Sequence, residues 1–461
     1  MQIDASTNDG GGLRIEIKVA IEIDMNSTFI DCEETIQRAL NEAGTRATAE
    51  VLKHFDTDGK PIELEGRRFT SKGEIVKRYE TPYGEADVAR HVYQHSGGGA
   101  TYCPLDDRAG TVLSATPKFA RMIASKYADF GSSRVQEDMA VNHGRLFSRG
   151  YVSNLAEAVA SIAESLSEQT VYRLPEFHAK ITTLVVATNE IDITAFRPSP
   201  AKVVIGSIGF YDEREQRQHV IYLADILQPG TSRHPTATNP GRFFSRVTGE
   251  LKRARQLLDD SVRIIGISGG HPWGTDFLEV CASIQFIDPE SVADLLSEAA
   301  GVYFDRYQTV AHHKEASRHR AMRGPQEKEK WIQYARSQLR SQSGLESLIR
   351  ELRGWRDEVS EQAKRKTIVE VLEFMETQSQ ADRMKYWDPS ASLAFANAGI
   401  LEDSAKVIFG DRIGHPKFKI GLSAAKAILI LRELTRSSGR WDEFWNHVAR
   451  RDKYKNRGKP H

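Results

Sequence analysis

The sequence predicts a mixed α/β fold, and residues 181–300 are the segment that carries this prediction. Three apolar runs separated by short polar loops indicate neighbouring strands at Thr182–Ala187, Val203–Tyr211 and His219–Ile226. Segments with helical spacing then alternate with two β-branched runs, which are typical of buried strands. Three antiparallel strands followed by helix–strand units form a mixed α/β sheet.

The later elements of this segment complete an ordered pattern. The two β-branched runs are Val262–Ile267 and Ile284–Ile287, and the predicted helices are 243–258, 277–281 and 291–304. The predicted order is therefore three strands, then a helix, a strand, a helix, a strand and a helix. An RNase H-like nuclease has this element order. We therefore expect an RNase H-like mixed sheet over residues 176–310.

An RNase H-like nuclease cuts and joins DNA with two metal ions, which carboxylates hold at fixed points of the scaffold. Here the first predicted strand is followed by Thr188-Asn189, and the fourth ends in Ser268-Gly269-Gly270. Neither strand end carries an acid. The sequence thus predicts a nuclease scaffold in which two catalytic positions lack their carboxylates.

Residues 1–115 are predicted to form a small N-terminal α+β region with paired strands. We expect the first twelve residues to be a flexible lead-in, followed by a strand at Leu13–Val19 and a helix at Asp31–Phe55. Two paired strands are expected within residues 62–94, because the turn signal Thr81-Pro82-Tyr83-Gly84 separates runs of alternating polarity.

Residues 116–175 change to helical spacing and predict a helix-turn-helix-like DNA-binding domain. Short helices are expected on both sides of a break at Asn142-His143-Gly144-Arg145. Short helices with a glycine-containing connection are typical of helix-turn-helix units. The same pattern also fits an ordinary helical bundle, so both interpretations stay open.

The rest of the chain is predicted to be largely helical. Charged residues with helical spacing over 311–385 indicate a helical insertion, with either a solvated face or a DNA-facing one. Residues 386–446 are expected to supply C-terminal helices that complete the RNase H-like domain. Residues 447–461 form a basic tail, with six cations against one anion between Arg450 and Lys459. Such a tail either contacts phosphates or only adds solubility.

Composition limits the class of protein. The chain has 461 residues with 40% hydrophobic content, and no apolar stretch approaches the ~18 residues of a membrane span. Its start, Met1–Ala5, has no basic region followed by an apolar run, which argues against export. Cys32, Cys103 and Cys281 lie too far apart for a disulfide framework or paired zinc ligands. We therefore expect a reduced, cytoplasmic protein with no membrane partner.

Short runs that follow one another in a fixed order between residues 62 and 446 carry a family resemblance. They are Tyr79-Glu80-Thr81-Pro82-Tyr83-Gly84, Arg90-His91-Val92-Tyr93-Gln94, Cys103-Pro104-Leu105-Asp106, Thr116-Pro117-Lys118-Phe119-Ala120-Arg121-Met122, Asn142-His143-Gly144-Arg145, Ser148-Arg149, Gly206-Ser207-Ile208-Gly209-Phe210-Tyr211-Asp212, Ile221-Tyr222-Leu223, Phe277-Leu278, Ala299-Ala300, Leu431-Arg432 and Arg440-Trp441-Asp442-Glu443-Phe444-Trp445. Together these runs resemble the ISKra-type insertion-sequence family of DDE transposases.

The resemblance implies where the catalytic acids of such a transposase would stand. Family members carry Asp-Gly after the first strand, Asp-Gly-Ala after the fourth, and Gly-Ser-Gly-x-x-Glu at the start of a late helix. Aligned by the flanking runs, the two Asp positions fall on Asn189 and Gly269, whereas the late glutamate is retained as Glu402. Asp288 retains the acid of an Asp-Phe-Tyr-His run after the fifth strand.

The two missing acids decide the predicted chemistry. Mg²⁺ usually needs at least one or two carboxylates, and two ions ~3.5–4 Å apart need more. Asn189 offers one neutral oxygen and Gly269 no side chain, so Glu402 alone cannot balance two ions. Asp192 would need the strand to slip by an odd number of residues, and Asp288 also fits a helix cap before a proline. Mg²⁺ is therefore expected only if the site is rebuilt, and otherwise no cofactor.

The leading hypothesis is a transposase-derived, sequence-specific protein that binds double-stranded DNA and no longer cleaves it. Lys and Arg number 63, as do Asp and Glu, so a DNA surface requires local clustering of cations. The residues predicted to contact DNA in the helix-turn-helix-like domain are Asn142, His143, Arg145, Ser148 and Arg149. Those predicted to add backbone contacts from the strand pair are Arg67, Arg68, Lys72, Lys77 and Arg78.

Two alternatives remain at this point. One is an active DDE transposase that uses a displaced metal site built from Asp192, Asp288 and Glu402. The other is a scaffold for protein partners without affinity for DNA, which the neutral overall charge allows. A homodimer is also expected, by analogy with transposases that bring two DNA ends together.

Overall fold

The structure, a computed structural model, has the mixed α/β fold that the sequence predicts. It divides into two compact units, one made of Met1–Arg173 with Phe418–His461 and the other of Leu174–Lys417. The residues that it describes are 2–7, 13–64, 66–167, 172–193, 196–197, 201–227, 241–259, 261–304, 317–387, 395, 399–410, 412–413 and 420–449.

The strands of the N-terminal part of the first unit form two antiparallel sheets. The first sheet pairs β1 (Gln2–Thr7) with β2 (Leu13–Lys18), and the second has the order β3 (Ile62–Leu64), β4 (Arg67–Glu80), β5 (Glu85–His95), β6 (Thr101–Tyr102). β1 corrects the expectation of a flexible lead-in. It pairs with β2 in a register that sets Ile3 opposite Ile17 and Ala5 opposite Ile15, so apolar residues face one another across the pair.

Helices complete the N-terminal part of the first unit. They are α1 (Phe29–Lys53), α2 (Pro104–Arg108), α3 (Pro117–Asp129), α4 (Ser132–His143) and α5 (Arg149–Ser167). The predicted break after α4 is a helix end: Gly144 has φ 62°, a left-handed conformation that favours glycine. α5 buries an apolar face that includes Val152, Leu155 and Val159, and it packs against α3. The second helix of the predicted helix-turn-helix unit is therefore largely buried.

The second unit is built on a five-stranded mixed sheet. In chain order the strands of this sheet are β7 (Ile181–Ile193), β9 (Ala201–Asp212), β10 (Arg217–Leu227), β11 (Arg263–Ser268) and β12 (Ile284–Ile287), and the two-residue β8 (Phe196–Arg197) lies outside it. The order across the sheet is β10-β9-β7-β11-β12. β9 lies between β10 and β7 and runs antiparallel to both, whereas β11 runs parallel to β7 and to β12. Parallel strands end at the same edge, so β7, β11 and β12 bring their carboxyl ends together.

Helices cover both faces of this sheet. They are α6 (Gly241–Leu257), α7 (Pro272–Cys281), α8 (Pro289–Phe304), α9 (Ser317–Gln338), α10 (Gln342–Glu358), α11 (Gln362–Gln380) and α12 (Ile400–Phe409). Leu184 and Val186 belong to a core that includes residues of α6, and Val185 and Ala187 to a core that includes α8, α10 and α11. The predicted helical insertion therefore shares a hydrophobic core with the sheet.

The C-terminal elements return to the first unit. β13 (Ile420–Gly421), α13 (Leu422–Arg436) and α14 (Arg440–Ala449) close the described chain, and α13 packs against α3 and α5. The buried Arg432 donates to the carbonyl of Ala128 at 3.1 Å and pairs with Asp129 at 2.9 Å. We expected residues 386–446 to complete the sheet domain. Residues up to Lys417 belong to the second unit, where Phe395 and the α12 residue Leu401 join the core of the sheet. The later helices belong to the first unit, because the apolar face of α13 is buried by α3 and α5. The basic tail beyond residue 449 lies outside the described residues.

Within the described residues, no helix is both long enough and apolar enough to cross a membrane.

Candidate functional site

The carboxyl ends of β7 and β11 bring the two positions without acids into contact. The amide of Gly269 donates to the carbonyl of Thr188 at 3.1 Å, continuing the parallel pairing of the two strands. The Oδ1 atom of Asn189 accepts a hydrogen bond from the amide of Glu190 at 2.9 Å. A Cβ atom on residue 269 would overlap this same Oδ1 atom. Asn189 and Gly269 are thus direct neighbours, as two metal-binding acids would be.

Asp288 stands at the next strand end along the same edge. Its amide donates to the carbonyl of Ser268 at 2.8 Å. Its Oδ2 atom accepts from the amide of Ser291 at 2.9 Å and from the hydroxyl of Ser291 at 3.0 Å, so the carboxylate caps α8. Burial raises the pKa of Asp288, although the two hydrogen bonds from Ser291 oppose that rise. The sequence indicates this cap, because Pro289 favours the first position of a helix.

Glu402 lies on the surface of α12. The helix is held to the sheet by the buried Leu401 and by a hydrogen bond from the Ser404 hydroxyl to that of Ser207 at 3.0 Å. Glu402 is 64% exposed and pairs with Lys406 one turn later at 2.7 Å. The hydrogen bond from Lys406 lowers the pKa of Glu402. Residues 396–398, the start of the late motif that precedes Glu402, lie outside the described residues.

Asp288 and Glu402 both line one cavity of about 310 Å³. Its lining includes Asp288 and Glu402 with Arg336, Arg340 and Tyr386, which come from the insertion or follow it. The Tyr386 hydroxyl donates to the carbonyl of Ile287 at 2.6 Å, and Arg336 pairs with Glu290 at 2.9 Å. No sequence signal connects these arginines or this tyrosine to the sheet edge, because long connections separate them from it along the chain.

Asp192 lies on the other face of β7 from Asn189. The pairing of β7 with β9 is regular from Thr183 to Ile193, and successive side chains alternate between faces of a strand. A separation of three residues therefore puts Asp192 and Asn189 on opposite faces. Asp192 is 73% exposed and lies 4.0 Å from Lys202, which also pairs with the buried Glu190. This arrangement contradicts the expectation that Asp192 could help to rebuild the metal site.

The residues at the sheet edge do not fit two Mg²⁺ ions. Asn189 is neutral, Gly269 has no side chain, and one oxygen of Asp288 already accepts two hydrogen bonds. Across the described ranges, no group of three or more His, Cys, Asp or Glu side chains is arranged to hold a metal ion. Two divalent ions would stand here without the carboxylates that balance their charge.

Arg145, predicted to contact DNA, is buried instead. It is 5% exposed, its Nε atom donates to the carbonyl of Thr81 at 3.0 Å, and its guanidinium pairs with the carboxylate of Glu80. The guanidinium also lies 5.5 Å from the ring centroid of Phe119. Arg145 therefore links the connection between α4 and α5 to the turn between β4 and β5. Because it is buried there, it cannot contact DNA in this conformation.

The other predicted residues of the α4–α5 connection lie at or near the surface. Asn142, Ser148 and Arg149 are exposed and His143 is half-buried. Their hydrogen bonds are local: Asn142 donates to Asp138 at 2.8 Å, Ser148 accepts from the amide of Tyr151 at 3.1 Å, and Arg149 donates to Ser133 at 3.3 Å. The carbonyl of His143 accepts from Asn41 at 3.1 Å. Among the five predicted contacts, Arg149 is the cation that remains exposed.

The cations of β4 divide into a paired and an unpaired set. Lys77 lies 3.2 Å from Asp106, and Arg78 lies 3.0 Å from Asp87 and 3.2 Å from Glu85. At the other end of the strand, the exposed cations with no carboxylate partner in the described part of the chain are Arg67, Arg68 and Lys72. The sequence could not separate the two sets, because pairing depends on which acids the fold brings to each cation.

Comparison with protein-family models finds no match to this chain, and comparison with curated proteins finds none either.

Proposed function

We propose that this chain is a transposase-derived, sequence-specific DNA-binding protein that does not cleave DNA. The observation that carries the proposal is the edge of the five-stranded sheet, where Asn189 and Gly269 are neighbours and neither supplies a carboxylate. Phosphoryl chemistry with two metal ions depends on such carboxylates, because they hold the ions and balance their charge.

The topology of the second unit supports an RNase H-like origin. Its order, β10-β9-β7-β11-β12, has three antiparallel strands on one side and two strands parallel to β7 on the other. This is the arrangement expected for an RNase H-like sheet, with the catalytic positions at the ends of the parallel strands. A scaffold of this kind that lacks the acids keeps its shape, since its core is apolar on both faces.

The first unit supports binding of DNA. Arg67, Arg68, Lys72 and Arg149 are exposed, and DNA affinity depends on cations that are free to contact phosphates. The α4–α5 connection adds the exposed polar side chains of Asn142 and Ser148, a type of residue that contacts phosphates or base edges.

A selection from genomic DNA tests the proposal. The full chain is incubated with sheared genomic DNA of its host and Mg²⁺, and both the recovered fragments and their ends are sequenced. A parallel selection with a chelator in place of Mg²⁺ is the control. We expect one discrete sequence to be enriched in both selections, with intact fragments. If new DNA ends appear at that sequence in the selection with Mg²⁺ but not in the one with a chelator, the protein cleaves DNA and this part of the proposal is wrong. No enrichment even at low salt would remove DNA binding and favour a scaffold for protein partners.

One observation favours a second candidate, an active enzyme with a rebuilt site. Asp288 and Glu402 line the same cavity, so a metal ion held by both acids would not need Asp192. This candidate requires Mg²⁺-dependent cleavage that Glu402→Gln abolishes. Cleavage that survives the substitution would exclude a rebuilt site that depends on Glu402.

A further inference from the structure

One end of the β3–β4–β5–β6 sheet has a surface unlike the rest of that sheet. We define the sheet-end surface as Arg67, Arg68, Phe69, Lys72 and His95. The three cations are exposed, and the two rings are partly exposed. Phe69 and His95 are direct partners in the register of β4 and β5, so both rings lie on one face of the sheet.

Among the described residues, the cations of the sheet-end surface form no ion pair with a carboxylate. Glu63 lies opposite Arg68 in the register of β3 and β4, yet the two side chains form no ion pair. Lys72 occupies a β-bulge, where the register shifts between Ser71 and Glu74 and Gly73 takes a φ of 99°. A bulge re-aims the side chains around it, so Lys72 departs from the regular alternation of the strand.

The rings of the sheet-end surface form a small aromatic cluster. The ring centroids of Phe69 and His95 are 5.7 Å apart with an interplanar angle of 63°, and Phe69 makes a similar edge contact with Tyr102 at 6.4 Å. The Tyr102 hydroxyl donates to Asp107 at 3.0 Å, which fixes one side of the cluster. Phe69 and His95 both remain partly exposed, and aromatic side chains at a surface are groups on which nucleobases stack.

We propose that the sheet-end surface binds DNA where a duplex meets unpaired nucleotides. Arg67, on the same face of β4 as Phe69, and Lys72 contact phosphates beside an unpaired base that stacks on Phe69 next to His95. Arg68 projects from the other face by strand alternation and contacts a phosphate at the same end of the sheet. The inference rests on the proposed DNA-binding function and adds which surface binds and which DNA structure it prefers. Cations beside aromatic side chains are the combination that binds single strands without regard to sequence.

The phosphate contacts are tested by fluorescence anisotropy on the full chain with two probes. One probe is a blunt duplex, and the other is the same duplex with a short single-stranded tail. Each cation that contacts a phosphate contributes ~0.7–0.9 to the slope of log affinity against log salt concentration. We expect the triple variant Arg67→Ala/Arg68→Ala/Lys72→Ala to reduce that slope by about two to three on the tailed probe.

Arg78→Ala is the matched control for Arg68→Ala. Both arginines are exposed and lie on β4, but Arg78 is paired with Asp87 and Glu85. We expect Arg68→Ala to weaken binding and Arg78→Ala to leave the affinity within about twofold of wild type, as is usual for a neutralised surface residue. Equal losses for the two variants would overturn the assignment of this surface.

The stacking contact is tested by Phe69→Leu, which keeps an apolar side chain against Tyr102 and removes the aromatic face. We expect affinity for the tailed probe to fall about tenfold while affinity for the blunt duplex stays unchanged. His95→Ala is the second variant, and the far-ultraviolet circular dichroism of both is compared with wild type. An equal loss on both probes, or no loss on either, would refute the stacked base. If the wild type binds neither probe at low salt, the proposed function itself fails.

Discussion

Polar residues around the β4–β5 turn of the first unit differ in their contacts from the residues at the sheet edge of the second unit. Around the β4–β5 turn, the motif residues satisfy one another: Arg145 pairs with Glu80, and Asp106 accepts from Tyr79 at 2.6 Å and from Arg90 at 2.7 Å. At the sheet edge, Asn189 and Gly269 are neighbours at the ends of two parallel strands and supply no carboxylate. The first set joins separate elements through ion pairs and hydrogen bonds, whereas the second contributes one local side-chain hydrogen bond, which Asn189 accepts from the amide of Glu190.

Elementary electrostatics explains this difference. Removing one partner of a buried ion pair leaves a buried charge without compensation, which is strongly destabilising. Acids clustered without a bound metal ion repel one another, and an amide and a glycine at these two positions avoid that repulsion. Substitution of Arg145 is therefore expected to destabilise the fold more than substitution of Asn189 or Gly269.

The largest effect that we expect comes from Arg145→Ala. The substitution leaves the half-buried Glu80 without its cation and the carbonyl of Thr81 without its donor. The free energy of unfolding should fall by about 3–5 kcal/mol, measured by urea denaturation.

Arg149→Ala is the control for this substitution, because Arg149 is exposed on the same connection. Its effect on stability should stay within about 0.5 kcal/mol, while its affinity for DNA should fall. If Arg145→Ala instead left stability unchanged and abolished DNA binding, the separation between fold-supporting and DNA-contacting residues would be wrong.

A smaller loss is expected from Asp288→Ala, which removes the side-chain cap of α8. Loss of such a cap typically costs about 0.5–2 kcal/mol. Asp288→Asn is the informative companion, because the amide keeps an oxygen that can accept from Ser291. Thermal unfolding that is unaffected by Asp288→Ala would mean that the edge residue has no structural role.

The pH dependence of Asp288→Asn follows from the direction of the pKa shift. Burial raises the pKa of Asp288 in the folded protein, so folding favours the protonated carboxyl. The wild type should therefore be less stable than Asp288→Asn at neutral pH. The difference in the free energy of unfolding between the wild type and Asp288→Asn should shrink as the pH falls through the raised pKa of Asp288 and towards the ordinary value for Asp. A gap that widens in acid would reverse the assigned direction.

Because Gly269 contacts Asn189, we expect the effect of Gly269→Ala on the free energy of unfolding to depend on the side chain at position 189. Gly269→Ala should cost about 1 kcal/mol, because the new methyl group displaces Oδ1 of Asn189 from its hydrogen bond with the amide of Glu190. In an Asn189→Ala background the same change should be neutral or stabilising by up to about 1 kcal/mol, because it restricts the unfolded chain. Additive effects in this double-mutant cycle would show that the two positions are not in contact.

The smallest effect is expected from Glu402→Gln. Glu402 is exposed and its pairing with Lys406 is within one helix, so the variant should unfold like the wild type in thermal melts. Its DNA affinity should also stay unchanged, because no cation of the binding surface depends on it. A marked loss of DNA binding would instead assign a function to the cavity shared with Asp288.

Elements with a strong local pattern were predictable from the sequence. The strands of the five-stranded sheet and the β4–β5 hairpin follow from apolar runs and from the turn at Thr81–Gly84. β2 was predicted, but β1 was missed because polar residues dominate Gln2–Thr7 and this strand depends on pairing with β2. The assignment of α13 to the sheet domain was also wrong. The apolar pattern of this helix shows that one face is buried, but not which helices bury it.

The sequence alone determined that this chain has a mixed α/β fold and that Asn189 and Gly269 supply no carboxylate, since both depend only on local pattern and residue identity. Tertiary structure decided which charges are free. It buried Arg145 against Glu80, paired Lys77 and Arg78 with acids, and left Arg67, Arg68 and Lys72 exposed. The reason is physical: the availability of a charge depends on its distance from opposite charges and from water, and folding sets both distances.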